Sequence, residues 1–195
     1  MSELYNLPDE WEWKKLGDLT TTTSGGTPKR NEKLYWGGNI GWLKSGELND
    51  GYITNVEEYI TDEGLTKSSA KLFPKGTLLI AMYGATAGKV SFLAFESSTN
   101  QAICAVTLDD NRLKYYFKFF IEDLYSHLVT LSSGSARDNL SQDMIKNKIF
   151  LYLNHLENER DCETMLLFPF LRIIVVNCGS VMIMVYHVTT LSLIV

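Results

Sequence analysis

The sequence predicts a mixed α/β domain, a twisted β core with flanking helices, followed by a C-terminal segment of different character. Three observations carry this. Residues 76–106 hold two apolar runs, Thr77–Met82 and Val90–Phe95, joined by the small-residue turn Tyr83-Gly84-Ala85-Thr86-Ala87-Gly88-Lys89. A third run, Ala102–Val106, follows the polar corner Ser97–Gln101. Short apolar runs bounded by Gly-rich turns read as buried strands. Next, Leu113, Phe117, Phe120, Leu124, His127, Leu128 and Leu131 recur at helical spacing and share a face. Finally, 195 residues with 45% hydrophobic content suffice to bury the core of one domain, or of one domain with an appendage.

In chain order, Leu7-Pro8-Asp9-Glu10-Trp11-Glu12-Trp13 opens acidic and aromatic, without the apolar stretch of a signal peptide, and a cytoplasmic location is expected. Trp11, Trp13 and Leu16 are expected to clasp the domain. The polar run Thr20–Ser24 leads into Gly25-Gly26-Thr27-Pro28, which cannot continue a helix and places Lys29 and Arg30 at a loop tip. Ile40–Leu43 reads as a short buried strand ending in the polar turn Lys44-Ser45-Gly46. Asn49-Asp50-Gly51 reads as a tight turn. Tyr52–Tyr59 alternates like one strand, Thr61 suits a helix N-cap, and Glu57, Glu58, Asp62 and Glu63 read as a solvated acidic run. After the turn Asp109-Asp110-Asn111 and the helix comes a small-residue loop, Ser132–Ser141. It carries Arg137 and ends in Ser141, a cap for a short helix.

Several chemistries are excluded by spacing. Gly84-Ala85-Thr86-Ala87-Gly88-Lys89-Val90 has three residues between its glycines and Val after the Lys. A nucleotide-binding P-loop needs four, and Ser or Thr after the Lys, so an ATP site is not expected. Cys104, Cys162 and Cys178 are too scattered for a disulfide framework or a zinc site, and Cys104 reads as a buried thiol. No G-x-S-x-G elbow and no His/Cys cluster with metal spacing occurs. What remains is a set of loops rich in Gly, Ser, Thr, Asn, Lys and Arg on a β core. The formal net charge of −5 argues against a generally basic nucleic-acid coat but leaves room for a local basic face. The turn Tyr83–Lys89 offers a cation, a phenol, a hydroxyl and uncovered backbone amides, a set that suits a polyanion's backbone.

The stretches LPDEWEWKKLGDL, SGGTPKRNEKLYWGGNIGWLKSGEL, ITDEGLTKSSAKLFPKGTLLIAMYGATAGKVSFL, STNQAICAV and SSGSARDNLSQDMIKNKIF follow one another over roughly residues 4–150. Together they resemble the target recognition domain of type I restriction-modification specificity subunits. The resemblance implies an α/β domain followed by a long helix, two such units in one subunit, and sequence-specific binding of double-stranded DNA. It implies no catalytic centre and no cofactor in this chain. Methyltransferase subunits using S-adenosylmethionine, and motor-nuclease subunits using ATP and Mg²⁺, would be the partners, with a second half-subunit a further one. The expected DNA-facing set is Lys29, Arg30, Lys44, Ser45, Tyr83, Thr86, Lys89 and Arg137. For Gly84–Gly88 a purely structural role stands beside DNA contact, and for Asn100 and Gln101 it is the stronger reading.

The chain is thus expected to divide into a DNA target recognition domain, residues 1–150, and an atypical hydrophobic tail, residues 151–195. From Met165 to Val195 the only charged side chain is Arg172. The charged helix the family places here is missing. Arg160-Asp161-Cys162-Glu163 can be encoded so that the next reading frame yields Glu-Ile-Val, so a reading-frame change near residue 150 is the expected cause, and sequencing the locus tests it. The rival is a membrane anchor: Ile173–Val195 is long enough to span a bilayer. Asn177, Gly179, Ser180, His187, Thr189 and Thr190 interrupt it, however, and no basic residues flank its end.

Overall fold

The computed structural model describes residues 11–108, 114–131, 140–153, 171–177 and 182–188. Three layers stack in it: helices, a five-stranded sheet and a four-stranded sheet. In the five-stranded sheet β2 (Thr20–Ser24), β10 (Ile103–Leu108), β7 (Leu78–Ala81) and β8 (Val90–Leu93) are antiparallel neighbours, and β4 (Tyr52–Ile53) adds to β8 in parallel. In the four-stranded sheet β5 (Glu58–Ile60), β3 (Trp36–Leu43), β9 (Ser97–Thr99) and β6 (Leu72–Phe73) lie in that order, β3 and β9 parallel. The expected fold class, a mixed α/β domain with a β core and flanking helices, is the one observed.

The three apolar runs are β7, β8 and the first part of β10, and they are continuous because both faces of the sheet are covered. Leu78, Ile80, Cys104 and Val106 face α2 (Lys114–Leu131) and α3 (Gln142–Lys146), where Phe117, Ile121 and Ile145 meet them. Their neighbours Leu79, Ala81, Ile103 and Ala105 face the second sheet and meet Leu43 and Phe73. Removing each large side chain of this set from water contributes about 1.5–3 kcal/mol. Burial also pushes the Cys104 thiol up to about 12, which makes it a packing group rather than a nucleophile. The face of α2 is centred on Phe117 and Ile121, with Phe120, Leu124 and Tyr125 at its margin. Ile121 was not in the expected stripe. Leu113 and the side chains of His127, Leu128 and Leu131 lie outside the described residues.

Both expected caps are present. Thr61 Oγ1 accepts from the Gly64 amide at 3.0 Å, opening α1 (Asp62–Thr66), and Ser141 Oγ accepts from the Met144 amide at 3.1 Å. β1 (Trp11–Lys15) pairs antiparallel with β11 (Ile149–Leu153), so strands far apart in the sequence lie side by side. Leu16 beside it is 1% exposed in the main core, as a clasp requires, while the side chains of Trp11 and Trp13 lie outside the described set.

Two stretches differ from expectation. The alternating stretch Tyr52–Tyr59 is two strands in different sheets: β4 pairs with β8 and β5 pairs with β3. The buried positions Ile53, Val56 and Ile60 are spaced by three and then four residues instead of two, because the chain changes sheet between β4 and β5. The polar corner Ser97–Gln101 begins as the central strand β9, whose Ser97, Ser98 and Thr99 are all fully buried. A Cβ on Gly41 of the adjacent β3 would stand 2.9 Å from Ser97 Oγ, so small side chains are needed where these strands crowd. The polar run Thr20–Ser24 is the edge strand β2. In the hydrophobic tail β12 (Leu171–Asn177) pairs antiparallel with β13 (Met182–Val188). Among the described residues no helix is long and apolar enough to cross a membrane, so the membrane-anchor alternative has no helix to carry it there.

Candidate nucleic-acid interface

The register of the strands sends the expected loops to one end of the molecule. Ser24 lies opposite Cys104, Ala81 opposite Ile103, and Val90 opposite Ile80, so β2 ends, β7 ends, and β8 and β10 begin at the same side. β3 ends there too, because Leu43 lies opposite Thr99 and its carbonyl accepts from the Asn100 amide at 2.9 Å. The loop after β2, the turn after β3 and the β7–β8 turn are therefore neighbours.

The loop Gly25–Arg30 is pinned along its length. The Gly26 amide donates to the Thr99 carbonyl at 2.9 Å, and the Gly26 carbonyl accepts from Trp42 Nε1 at 2.9 Å. A Cβ on Gly26 would lie 2.2 Å from the Ser69 carbonyl oxygen, so only glycine fits this contact. Thr27 Oγ1 is hydrogen-bonded to Gln101 Oε1. The Lys29 carbonyl accepts from Trp36 Nε1 at 3.1 Å. The Arg30 guanidinium lies 4.0 Å from the Trp36 ring centroid and 4.5 Å from that of Trp42, and these two rings meet edge to face at 5.1 Å. Both tryptophans thus hold the loop by their indole N–H groups and support its last side chain.

Two carboxylates join Arg30 and Lys44 into one network, and a third braces the turn. Glu58 is ion-paired with Arg30 through Oε2 and with Lys44 Nζ through Oε1 at 3.1 Å. Glu57 Oε2 takes the same Lys44 ammonium at 2.6 Å. Glu47 holds the turn beneath: its Oε2 accepts from the Lys44 amide at 2.7 Å and its Oε1 from the Glu57 amide at 2.9 Å. Hydrogen bonding to Arg30, then to Lys44, lowers the Glu58 carboxyl below the usual range, and hydrogen bonds to Glu57 and Glu58 raise Lys44. Lys89 Nζ sits 3.2 Å from Asp50 Oδ2, while Asp50 Oδ1 accepts from the Val90 amide at 3.2 Å.

The turn Tyr83–Lys89 is less open than expected. The Ala87 amide donates to the Gly84 carbonyl, the Gly88 amide to the Ala81 carbonyl and the Lys89 amide to the Thr86 carbonyl, at 3.2, 2.8 and 2.9 Å. These amides are therefore not an anion cradle, because closing the β7–β8 connection uses them. Thr86 Oγ1 donates to the Ser45 carbonyl at 2.8 Å, which ties this turn to the one after β3. Gly88 has φ +80°, and a Cβ there would lie 1.9 Å from Cγ of Tyr125 on α2. The glycine is the seat for that ring.

Of the eight expected residues the structure brings seven together. Lys29 and Arg30 share the pinned loop, Glu58 links Arg30 to Lys44, and Ser45 is bonded to Thr86, which shares its turn with Tyr83 and Lys89. Arg137 lies outside the described residues. Lys29 is exposed and its ammonium makes no ion pair among the described residues, and Tyr83 is 37% exposed. Asn100 makes a local turn bond: its Oδ1 accepts from the Ala102 amide at 3.1 Å. The acidic run is corrected in part. Glu57 and Glu58 are ion-paired to this network, whereas Asp62 and Glu63 lie in the first turn of α1. Glu58 could have been found by placing it opposite Trp42, but that register belongs to the fold rather than to the sequence. Trp36, Trp42 and Asp50 were also missed as parts of the site. Among the described residues no group of three or more His, Cys, Asp or Glu side chains could hold a metal ion.

A family model described as "Type I restriction modification DNA specificity domain" matches residues 8–161. The specificity subunit of the type I restriction enzyme MjaIX from Methanocaldococcus jannaschii is 27% identical over 164 residues, which are 82% of this chain and 38% of that protein. The EcoR124I/EcoR124II specificity subunit from Escherichia coli is 31% identical over 141 residues, 70% of this chain and 35% of that one. In fold, the crystal structure of the HsdS subunit from Thermoanaerobacter tengcongensis matches with a TM-score of 0.59 at 13% identity, covering 78% of this chain and 36% of that chain. The chain thus spans somewhat over a third of the length of these relatives.

Proposed function

The chain belongs to the type I restriction modification DNA specificity domain family, and from that premise we propose that it is a DNA-reading part of a specificity subunit. The family match over residues 8–161 carries this reading, and the end of the molecule bearing the pinned loop, the β3 turn and the β7–β8 turn supports it. In this reading the chain binds a short duplex sequence and performs no chemistry. Lys and Arg hold phosphates, and side chains of the convergent loops meet base edges in the major groove. Methyltransferase and motor-nuclease subunits, with S-adenosylmethionine, ATP and Mg²⁺, act at the site the chain selects. A second recognition unit completes a bipartite site. The tail beyond residue 150 is read as the product of a frame change, although the family match continues to residue 161. Sequencing the locus tests that part alone: a helix-coding stretch recoverable in a shifted frame supports it, and its absence removes it.

Retention of a randomised duplex pool tests the function, with enrichment of one short motif expected. Within that assay Lys29→Ala lowers affinity for all duplexes and reduces the slope of log K against log salt by about one. Lys89→Ala has the smaller effect, because its ammonium already sits on Asp50. Equal losses for the two variants would show that the Asp50 pair does not restrain Lys89.

A further inference from the structure

We propose that Glu58, with Glu57 beside it, is a built-in competitor for DNA phosphate: a duplex that engages Lys44 or Arg30 has to displace a carboxylate already seated on it. This rests on the DNA-reading function above. The geometry is that of a shared anion site. One carboxylate, 29% exposed, sends one oxygen to a guanidinium and the other to an ammonium, and a second carboxylate takes the same ammonium from the solvent side at 68% exposure. Phosphate oxygens bind these two cations by the same bonds. Arg30 would not lose its place on exchange, because the Trp36 and Trp42 rings carry its guanidinium independently of Glu58. Lys44 likewise keeps its backbone anchor on Glu47. The cations are thus held ready and neutralised at once. Among the described members of the expected DNA-facing set, Lys29 alone offers a cation without an ion pair within the described residues. Sequence-independent binding is almost wholly electrostatic, so carboxylates placed here hold it down and leave affinity to depend on contacts with bases.

The test uses the full chain and a short duplex of arbitrary sequence, titrated across a range of salt concentrations. Glu58→Gln removes the competing charge while its amide oxygen can still accept from Arg30. The expected result is tighter binding at low salt and a salt slope steeper by about one for each cation released. Glu63→Gln is the control, since it removes the same charge from the Lys67 pair on α1. Unchanged slopes for Glu58→Gln, or equal steepening in both variants, would overturn the proposal, the second because net charge alone would then explain it. If Glu58→Gln does not fold, Glu57→Gln, which frees Lys44 only in part, is expected to shift binding in the same direction by less, and no shift overturns the proposal. Failure of the unsubstituted chain to bind any duplex at low salt would instead remove the DNA-reading function itself.

Discussion

Ile103 touches two regions held in shape by different physics. On one side it lies opposite Ala81 of β7, in a strand pair buried on both faces. On the other its carbonyl accepts from the amide of Gly25, where the pinned loop begins. β7 is fixed by apolar burial, which is non-directional and involves no group that titrates. The loop is fixed by two indole donors, a guanidinium stacked on both rings, and a shared carboxylate. Those bonds are directional, and the ion pair among them is strong only while its charges persist. Burial holds the core without directional bonds, whereas the loop keeps its polar groups in position through directional ones.

Substitutions can break this contrast or sharpen it. The largest effect is expected in the core: Leu79→Ala, at a fully buried position, destabilises the fold by about 2–5 kcal/mol in urea unfolding. A loss below about 1 kcal/mol would mean that the two sheets do not pack as described. Gly88→Ala comes next, at about 2–4 kcal/mol, combining strain at positive φ with a clash against the Tyr125 ring. Tyr125→Ala in the same chain should recover part of it, and a double-mutant cycle without coupling would contradict the contact.

Trp42→Phe keeps most of the apolar volume but removes the donor to Gly26. It is expected to cost about 1–3 kcal/mol and to speed amide exchange in the loop, with little change in β7. Equal acceleration in both regions would erase the distinction. The smallest effect concerns pH. The folded pKa of Glu58 is depressed by Arg30, so its pair stabilises the fold above the ordinary carboxylate range and is lost as pH falls through the lowered value. Lys44 is raised, so its contribution is present at neutral pH and lost only as pH climbs beyond the ordinary lysine range. Any difference in thermal midpoint between the native chain and Glu58→Gln should therefore be flat near neutrality and vanish in strong acid. A difference that grew on acidification would reverse the sign of the pair.

The same contrast explains what was legible in the sequence. β7, β8 and β10 could be read because double-sided burial leaves a continuous apolar run. The caps at Thr61 and Ser141 could be read because a cap is a local hydrogen bond three residues long. β9 could not: Ser97-Ser98-Thr99 is polar by composition, and what makes it a central strand is the backbone pairing and close approach supplied by β3 and β6. At the candidate site the cations and their loops were visible as residue types. Their partners were not, because Glu58 reaches Arg30 and Lys44 only after β5 has registered against β3.

The measurement that tests the account most directly is the ratio of affinities of the full chain for a duplex carrying the selected motif and for the same duplex scrambled, at fixed salt. A chain that reads sequence through a rigid loop face should discriminate by about 10³ or more. A ratio near one, with both affinities falling equally as salt rises, would reduce the face to a phosphate contact and contradict the account.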